Sequence, residues 1–276
     1  MRRPTDELMS LYVLEGFLAR LGTSRYASKL VLKGGMLLAA FSQRRPTRDI
    51  DLQGLELAND ADTVRSMIVD IASLSRPDGV EFDLSTAAAE VIREGDEYSG
   101  IRVSMDAGLH TAQLRLKVDV NVGDPVWPEP ITIDIPSILE DAESIRVIGY
   151  PLPMVLAEKL VTALARGVAS TRWRDFADIV LLTSSSQVNG KELQGALDAV
   201  ARHRQVQPLP LRDVLHDFPA LAQDRWQRWL QRQELGDRLS TGFSEVLEDV
   251  FTFADPALGN RVADSIWIPD RGWTAR

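Results

Sequence analysis

Two aspartates, Asp49 and Asp51, stand one residue apart in the run Asp49-Ile50-Asp51-Leu52. Alternate side chains of a strand share a face, so both carboxylates emerge together while Ile50 and Leu52 enter the core. Paired carboxylates of this kind can hold magnesium, which prefers hard oxygen ligands and completes its shell with water and substrate phosphates. Two-metal phosphoryl transfer needs carboxylates that keep the ions about 4 Å apart. Asp119 is a candidate third ligand, on the polar face of the alternating run Leu114 to Val122. Asp134, in Ile131-Thr132-Ile133-Asp134-Ile135, is the alternative.

Upstream, Lys33-Gly34-Gly35 follows the apolar run Leu30-Val31-Leu32 and precedes a helix-like segment beginning at Met36. A strand, a glycine turn and a helix start let backbone approach phosphate closely and turn free N–H groups toward an anion. The full Gly-x-x-x-x-Gly-Lys-Ser/Thr pattern of a P-loop is absent. Further along, Lys159, Thr162 and Arg166 recur at i, i+3 and i+7, opposite Leu156, Leu160 and Leu164. Lys159 is either a point charge for a triphosphate or a solvated residue beside a buried face. Asp175 and Asp178 share one helical face, where Asp175 can orient Lys159, contact a base or ribose, or pair with Arg172 or Arg174. Arg44, Arg45 and Arg48, with Arg166, Arg172 and Arg174, offer a local basic surface for RNA phosphates.

Hydrophobic spacing supplies the elements that would carry these groups. Leu8, Leu11, Leu14, Phe17, Leu18 and Leu21 imply a helix from Thr5 to Gly22. A strand at 30–32, a helix at 36–43, a strand at 49–52 and a helix at 58–74 follow, then strands near 80–84, 101–105, 112–122, 131–135 and 144–148. After Tyr150-Pro151 the spacing becomes helical at 153–166, 174–182, 190–202, 221–235 and 243–253. The expected division is an α/β part over 1–150 and a helical part over 151–276. Trp226 and Trp229, three apart, are expected to pack a helix, and Trp267 and Trp273 to anchor the tail. His110, His203 and His216 are too scattered for a metal or nucleophile site.

Composition narrows the classes. The chain has 276 residues, 45% hydrophobic and 26% charged, enough to bury a substantial core. No cysteine is present, which removes disulfides, thiolate zinc sites and cysteine nucleophiles. A formal charge of −9 argues against generic polyanion binding, although a local basic surface survives within it. No apolar stretch approaches the roughly 20 residues of a membrane span, and no secretory leader is visible. A soluble, cytoplasmic protein is expected, with no membrane partner.

Gly34-Gly35, Asp49-Ile50-Asp51 and the later strand residue Asp119 together resemble the signature of the DNA polymerase β-like nucleotidyltransferase superfamily. Within it, Leu32-Lys33-Gly34-Gly35, Pro46-Thr47-Arg48-Asp49-Ile50-Asp51-Leu52, Glu158-Lys159-Leu160 and Arg174-Asp175-Phe176-Ala177-Asp178 are similar to the AbiEii/MenT toxin family. The resemblance covers roughly residues 30–185. It implies an α+β fold, a nucleotidyltransferase-type mixed sheet with helices followed by a helical C-terminal part that contributes Lys159 and Asp175. It implies a toxin of a toxin-antitoxin or phage-defence system that transfers nucleotides from NTP to RNA, the tRNA 3′ end in the MenT branch. Asp49, Asp51 and Asp119 would bind Mg²⁺, or Mn²⁺ in its place, with Asp49, Asp51, Lys159 and Asp175 catalytic. Lys33, Gly34, Gly35, Thr47, Arg48, Arg166 and Asp178 would contact the nucleotide. A cognate antitoxin is implied, and in one branch it phosphorylates a hydroxyl at the position of Thr47. The alternatives are a nucleotidyltransferase that modifies a protein or small molecule, and a non-catalytic nucleotide-binding interaction protein.

Overall fold

The computed structural model describes residues 4–44, 47–94 and 98–276. These fall into two compact units, Met1–Asp124 with Pro130–Tyr150, and Pro125–Glu129 with Pro151–Arg276.

The first unit runs α1 (Thr5–Thr23), β1 (Leu30–Lys33), α2 (Gly34–Leu37), β2 (Ile50–Gly54), α3 (Ala61–Ala72), β3 (Val80–Glu94), β4 (Tyr98–Leu109), β5 (Ala112–Val122), β6 (Ile131–Ile135) and β7 (Ile145–Gly149). The strands form one mixed sheet in the order β3-β4-β5-β2-β1-β7-β6. β1 is antiparallel to β2 and parallel to β7, and β2 is parallel to β5. The alternation seen in single strands becomes continuous across the sheet. Ile101, Val120, Leu52 and Leu32 stand in register on four adjacent strands, all essentially inaccessible to solvent. α1 packs against β7 and β5, α3 against β3, and the two helices touch each other. The next register over carries Arg102, Asp119, Asp51 and Lys33 on the opposite pleat.

Two departures from the expected elements have physical causes. β3 extends to Glu94, where spacing alone ends a strand near 84, because ladder pairing with β4 overrides the helical propensity of Ala87-Ala88-Ala89-Glu90. Its register shifts between Asp83 and Ala88, a bulge that absorbs the mismatch. After the glycine turn, α2 is a single turn that tightens into a 3₁₀ segment, Leu38–Phe41, so a full helix over 36–43 does not form.

One buried cation ties α1 to the start of β3. Arg20 Nη1 and Nη2 fork onto Asp78 at 2.6 and 3.1 Å, and the guanidinium also donates to the carbonyls of Gly16, Leu74 and Val80. Arg20→Lys keeps the charge and loses the planar fork, so it is expected to cost about 2 kcal/mol in urea unfolding through lost buried hydrogen bonds.

The second unit comprises α4 (Leu152–Arg166), α5 (Trp173–Thr183), β8 (Val188–Asn189), α6 (Gly190–His203), α7 (Leu211–Val214), α8 (Phe218–Gln233), α9 (Phe243–Leu258), β9 (Ser265–Ile268) and β10 (Gly272–Ala275). Phe176, Phe218, Trp226 and Phe243 form its aromatic centre, with Trp226 fully buried and its indole N–H donated to the Ser240 carbonyl at 3.0 Å. Trp226 and Trp229 therefore pack the fold, as their spacing suggests. The tail forms a hairpin that spacing does not reveal, antiparallel to β8, in which Trp267 and Trp273 clasp Phe253 with ring centroids at 5.0 and 5.4 Å. Trp127, on the strap that belongs to this unit, lies over Gly195, where an added Cβ would come within 2.2 Å of its indole nitrogen.

Candidate active site

The sheet register assembles the charged row. Lys33 faces Asp51 across β1 and β2, Asp51 faces Asp119 across β2 and β5, and Asp119 faces Arg102 across β5 and β4. Glu90 extends the row onto β3. The charges thus run negative, positive, negative, negative, positive across five strands. Two like charges directly opposite are unfavourable, and the cations on either side offset that repulsion.

Asp49 precedes β2, and Thr47 holds it. The Thr47 hydroxyl donates to Asp49 Oδ1 at 3.0 Å, and Thr47 itself is buried. Gly34 has φ +67°, and a Cβ built there would fall 1.9 Å from Asp51 Oδ2. That position therefore needs glycine twice, for its left-handed backbone and for the space its missing side chain leaves to the carboxylate. Gly35 is buried at the start of the short α2. One helical turn has little dipole, so close packing against Asp51, rather than a helix N-terminus, is the role the structure supports for this turn. Gly34→Ala is expected to displace Asp51 and to cost about 1 kcal/mol or more in urea unfolding, since the left-handed backbone disfavours a Cβ.

Several expected contacts take other partners. Lys33 is buried, its ammonium 3.4 Å from the equally buried Asp124 and over the Tyr150 ring at 5.7 Å. These contacts hold it at the end of the sheet. Asp119 is committed to Arg102 through two short bonds, Nε to Oδ1 at 2.7 Å and Nη2 to Oδ2 at 2.6 Å. Among the described residues no group of three or more Asp, Glu, His or Cys side chains is gathered as a metal site. Of the expected trio, Asp51 and Asp119 stand opposite one another across β2 and β5, and Asp119 is bonded to Arg102. Asp134 lies on the edge strand β6, exposed and paired with Arg146 at 2.9 Å, which removes it as the alternative third ligand. The Arg102 guanidinium is held above its ordinary value, mainly by its bonds to Asp119, with Asp49 and Glu90 adding Coulombic attraction.

Of the arginines near the acidic pair, Arg48 is exposed. Arg44 pairs with buried Glu15 at 2.7 Å and also donates to the Pro136 carbonyl. Glu15 in turn accepts from Ser137 Oγ and the Ile138 amide, each at 3.1 Å. Arg45 and Pro46 lie outside the described residues. Arg102 and Glu15 were not foreseen. A polar residue within the alternation Ile101-Arg102-Val103, and an acid among the apolar positions of α1, are the signals that mark them.

In the second unit, α4 and α5 bring together a compact ion cluster. Lys159 Nζ donates to Asp175 Oδ1 at 2.9 Å and to Asp178 Oδ2 at 2.7 Å, and Arg172 lies 3.3 Å from the other Asp175 oxygen. Asp175 therefore both orients Lys159 and pairs with Arg172. Asp178 is buried, and its carboxylate holds the lysine ammonium. Arg166 and Arg174 are exposed.

A family model described as the nucleotidyl transferase AbiEii toxin of type IV toxin-antitoxin systems matches residues 16–251. Among solved structures, JHP933 from Helicobacter pylori aligns at 13% identity over 94% of this chain and 95% of that one, with a TM-score of 0.52. MenT4, a nucleotidyltransferase toxin from Mycobacterium tuberculosis, aligns at 17% identity over 76% of this chain and 72% of its own, with a TM-score of 0.50. At these identities the two structures share the fold. No curated protein matches the sequence. The family match covers most of the 276 residues, including the glycine turn, the Asp49-Asp51 pair and the Lys159 cluster, so the chain belongs to the AbiEii nucleotidyltransferase toxin family.

Proposed function

We propose that the protein transfers a nucleotide from an NTP to an RNA acceptor, the 3′ end of tRNA, and that this transfer blocks translation. The observation that carries the reading is the pair of carboxylates, Asp49 held by Thr47 and Asp51 set against a glycine without side chain, on the charged face of the sheet. Their chemistry suits a hard divalent cation, Mg²⁺ or Mn²⁺, held by two protein oxygens and the triphosphate. Bound there, such an ion would neutralise triphosphate charge and polarise the α-phosphate.

The chain's own residues do the rest. Asp49 and Asp51 fix the position of the α-phosphate. Lys159, held by Asp175 and Asp178, supplies a point charge to the triphosphate. Exposed Arg48, Arg166 and Arg174 guide the RNA backbone. The acceptor hydroxyl gives up its proton to solvent as its oxygen bonds to the α-phosphorus, the bond to the bridging oxygen of the β-phosphate breaks, and pyrophosphate leaves.

Thr47 gives the site a route to inhibition by an antitoxin that phosphorylates it. A phosphate there adds close to two negative charges beside Asp49 and replaces the hydroxyl that now donates to it. The family implies an antitoxin partner. No helix among the described residues is long and apolar enough to cross a membrane.

The test is incubation with each radiolabelled NTP, Mg²⁺ and total tRNA. Labelled RNA supports the proposal. Labelled protein with unlabelled RNA selects a protein-modifying transferase instead, and no label in either, under conditions where the protein is toxic, rejects nucleotide transfer.

A further inference from the structure

The charged face of the sheet carries further cations beside the row through Asp51 and Asp119. Alternate residues of a strand share a face, so Arg115 and Lys117 of β5 stand on the same side as Asp119. Val118 pairs with Ile50, which sets Lys117 beside the start of β2, where Asp49 stands. Lys33, Arg102 and Arg115 each have an acid, namely Asp124, Asp119 and Asp106, at 3.4, 2.6 and 2.7 Å. Lys117 differs. Among the described residues its ammonium makes neither a hydrogen bond nor an ion pair, and Ser104, opposite it on β4, accepts instead from Arg115 at 2.9 Å.

Part of this side chain is nevertheless removed from water. Lys117 is half-buried, so some hydration is lost and no ion pair offsets the loss. Lys33 meets the same condition by pairing with a buried aspartate. An ammonium that stays unpaired on the face of the acidic pair is placed to meet an anion arriving from solution. In nucleotidyl transfer two anions arrive, the triphosphate and the RNA backbone. The backbone keeps its phosphates in solvent, where exposed arginines such as Arg48 serve it. The half-buried position beside Asp49 suits the triphosphate.

We propose that Lys117 binds the β- and γ-phosphates of the NTP, the part that leaves as pyrophosphate. This rests on nucleotidyl transfer at Asp49 and Asp51 and adds a phosphate-binding residue to it. With the α-phosphorus held at the acidic pair, the rest of the triphosphate lies along the sheet face, and there Lys117 offsets the repulsion from the two carboxylates. As the bond from the α-phosphorus to the bridging oxygen breaks, negative charge grows on the departing pyrophosphate. A fixed ammonium beside it favours that step.

Two measurements on the full chain test this: calorimetric titration with inorganic tripolyphosphate in Mg²⁺ buffer, and tRNA labelling with NTP and tRNA varied in turn. The variants are Lys117→Gln, Lys117→Arg and Arg115→Gln. The last removes an equal charge from the same strand face, at a residue that already has Asp106. Lys117→Gln is expected to weaken tripolyphosphate binding and to lower kcat/KM for the NTP by about tenfold or more, the loss of a charge-assisted hydrogen bond. KM for tRNA and the urea midpoint should not move, since no protein group loses a partner. Lys117→Arg keeps the charge and is expected to stay within about threefold of the wild type. Arg115→Gln is expected to do the same, because solvent and salt screen a charge that touches no phosphate.

Tripolyphosphate affinity within about twofold of the wild type in a folded Lys117→Gln overturns the proposal and leaves nucleotidyl transfer intact. An equal loss in Arg115→Gln makes the effect one of the general field and also overturns it, as does a folded Lys117→Arg that recovers no binding. A change confined to KM for tRNA assigns Lys117 to the RNA backbone and overturns it too. If the wild type labels neither RNA nor protein, nucleotidyl transfer itself falls, and this proposal with it. If Lys117→Gln fails to fold, protection of the wild type decides. Saturating tripolyphosphate is expected to slow acetylation of Lys117 about fivefold or more, read by peptide mass spectrometry against exposed Lys191, and equal rates overturn the proposal.

Discussion

Asp51→Asn is expected to lower nucleotidyl transfer by about a thousandfold, corresponding to about 4 kcal/mol of lost transition-state stabilisation. The substitution keeps the shape that packs against Gly34 and removes the charge. Stability should change little, because the substitution relieves the repulsion between Asp51 and Asp119 across β2 and β5 and also removes a carboxylate that faces Lys33 across β1 and β2. The combination is diagnostic: labelled NTP incorporation falls while the urea midpoint stays put. Asp49→Ala should behave similarly in activity, although it also releases the Thr47 hydroxyl from its 3.0 Å bond. Full transfer activity in a folded Asp51→Asn protein would place the chemistry elsewhere.

The second large effect concerns Lys159 and separates its structural from its functional role. Lys159→Met leaves Asp178 buried without the ammonium 2.7 Å away, and removal of one partner from a buried pair costs about 3 kcal/mol or more. Replacing both, as Lys159→Met/Asp178→Leu, removes the stranded charge and should restore at least half of that stability, because an apolar pair of similar volume often substitutes well for a buried ion pair. Activity should not follow. Both variants are expected to transfer label about a hundredfold more slowly than wild type, since neither has a cation for the triphosphate. If activity returned with stability, Lys159 would be a structural residue only. Urea unfolding and NTP incorporation on the same preparations make the comparison.

These expectations rest on different amounts of sequence information. The one-residue spacing of Asp49 and Asp51 puts both carboxylates on one face of an extended segment wherever that segment lies. The alternation of Leu114 to Val122 likewise declares a strand with one polar face. Most helices of the second unit begin and end within a few residues of where apolar spacing places them, because a helix buries a stripe defined by neighbours three and four apart. Gly34-Gly35 is legible as a turn for the same local reason.

What the local pattern does not contain is strand order. Asp119 lies sixty-eight positions after Asp51, and only the parallel pairing of β5 with β2 makes them neighbours. Arg102 becomes the partner of Asp119 because β4 lies on the other side of β5, and nothing in Ile101-Arg102-Val103 says which acid it will face. The same holds for Lys33, expected at the nucleotide and found beside Asp124, and for Arg44, which pairs with Glu15 of a helix distant in sequence. A charged side chain's type sets what it can bind, but its partner is chosen by burial, because a carboxylate removed from water takes the nearest cation that the fold supplies. The sequence by itself therefore determined the acidic pair, its glycine turn and the helical run that follows. The tertiary structure alone decided which charges meet, because only strand order sets Lys33, Asp51, Asp119 and Arg102 side by side in one row.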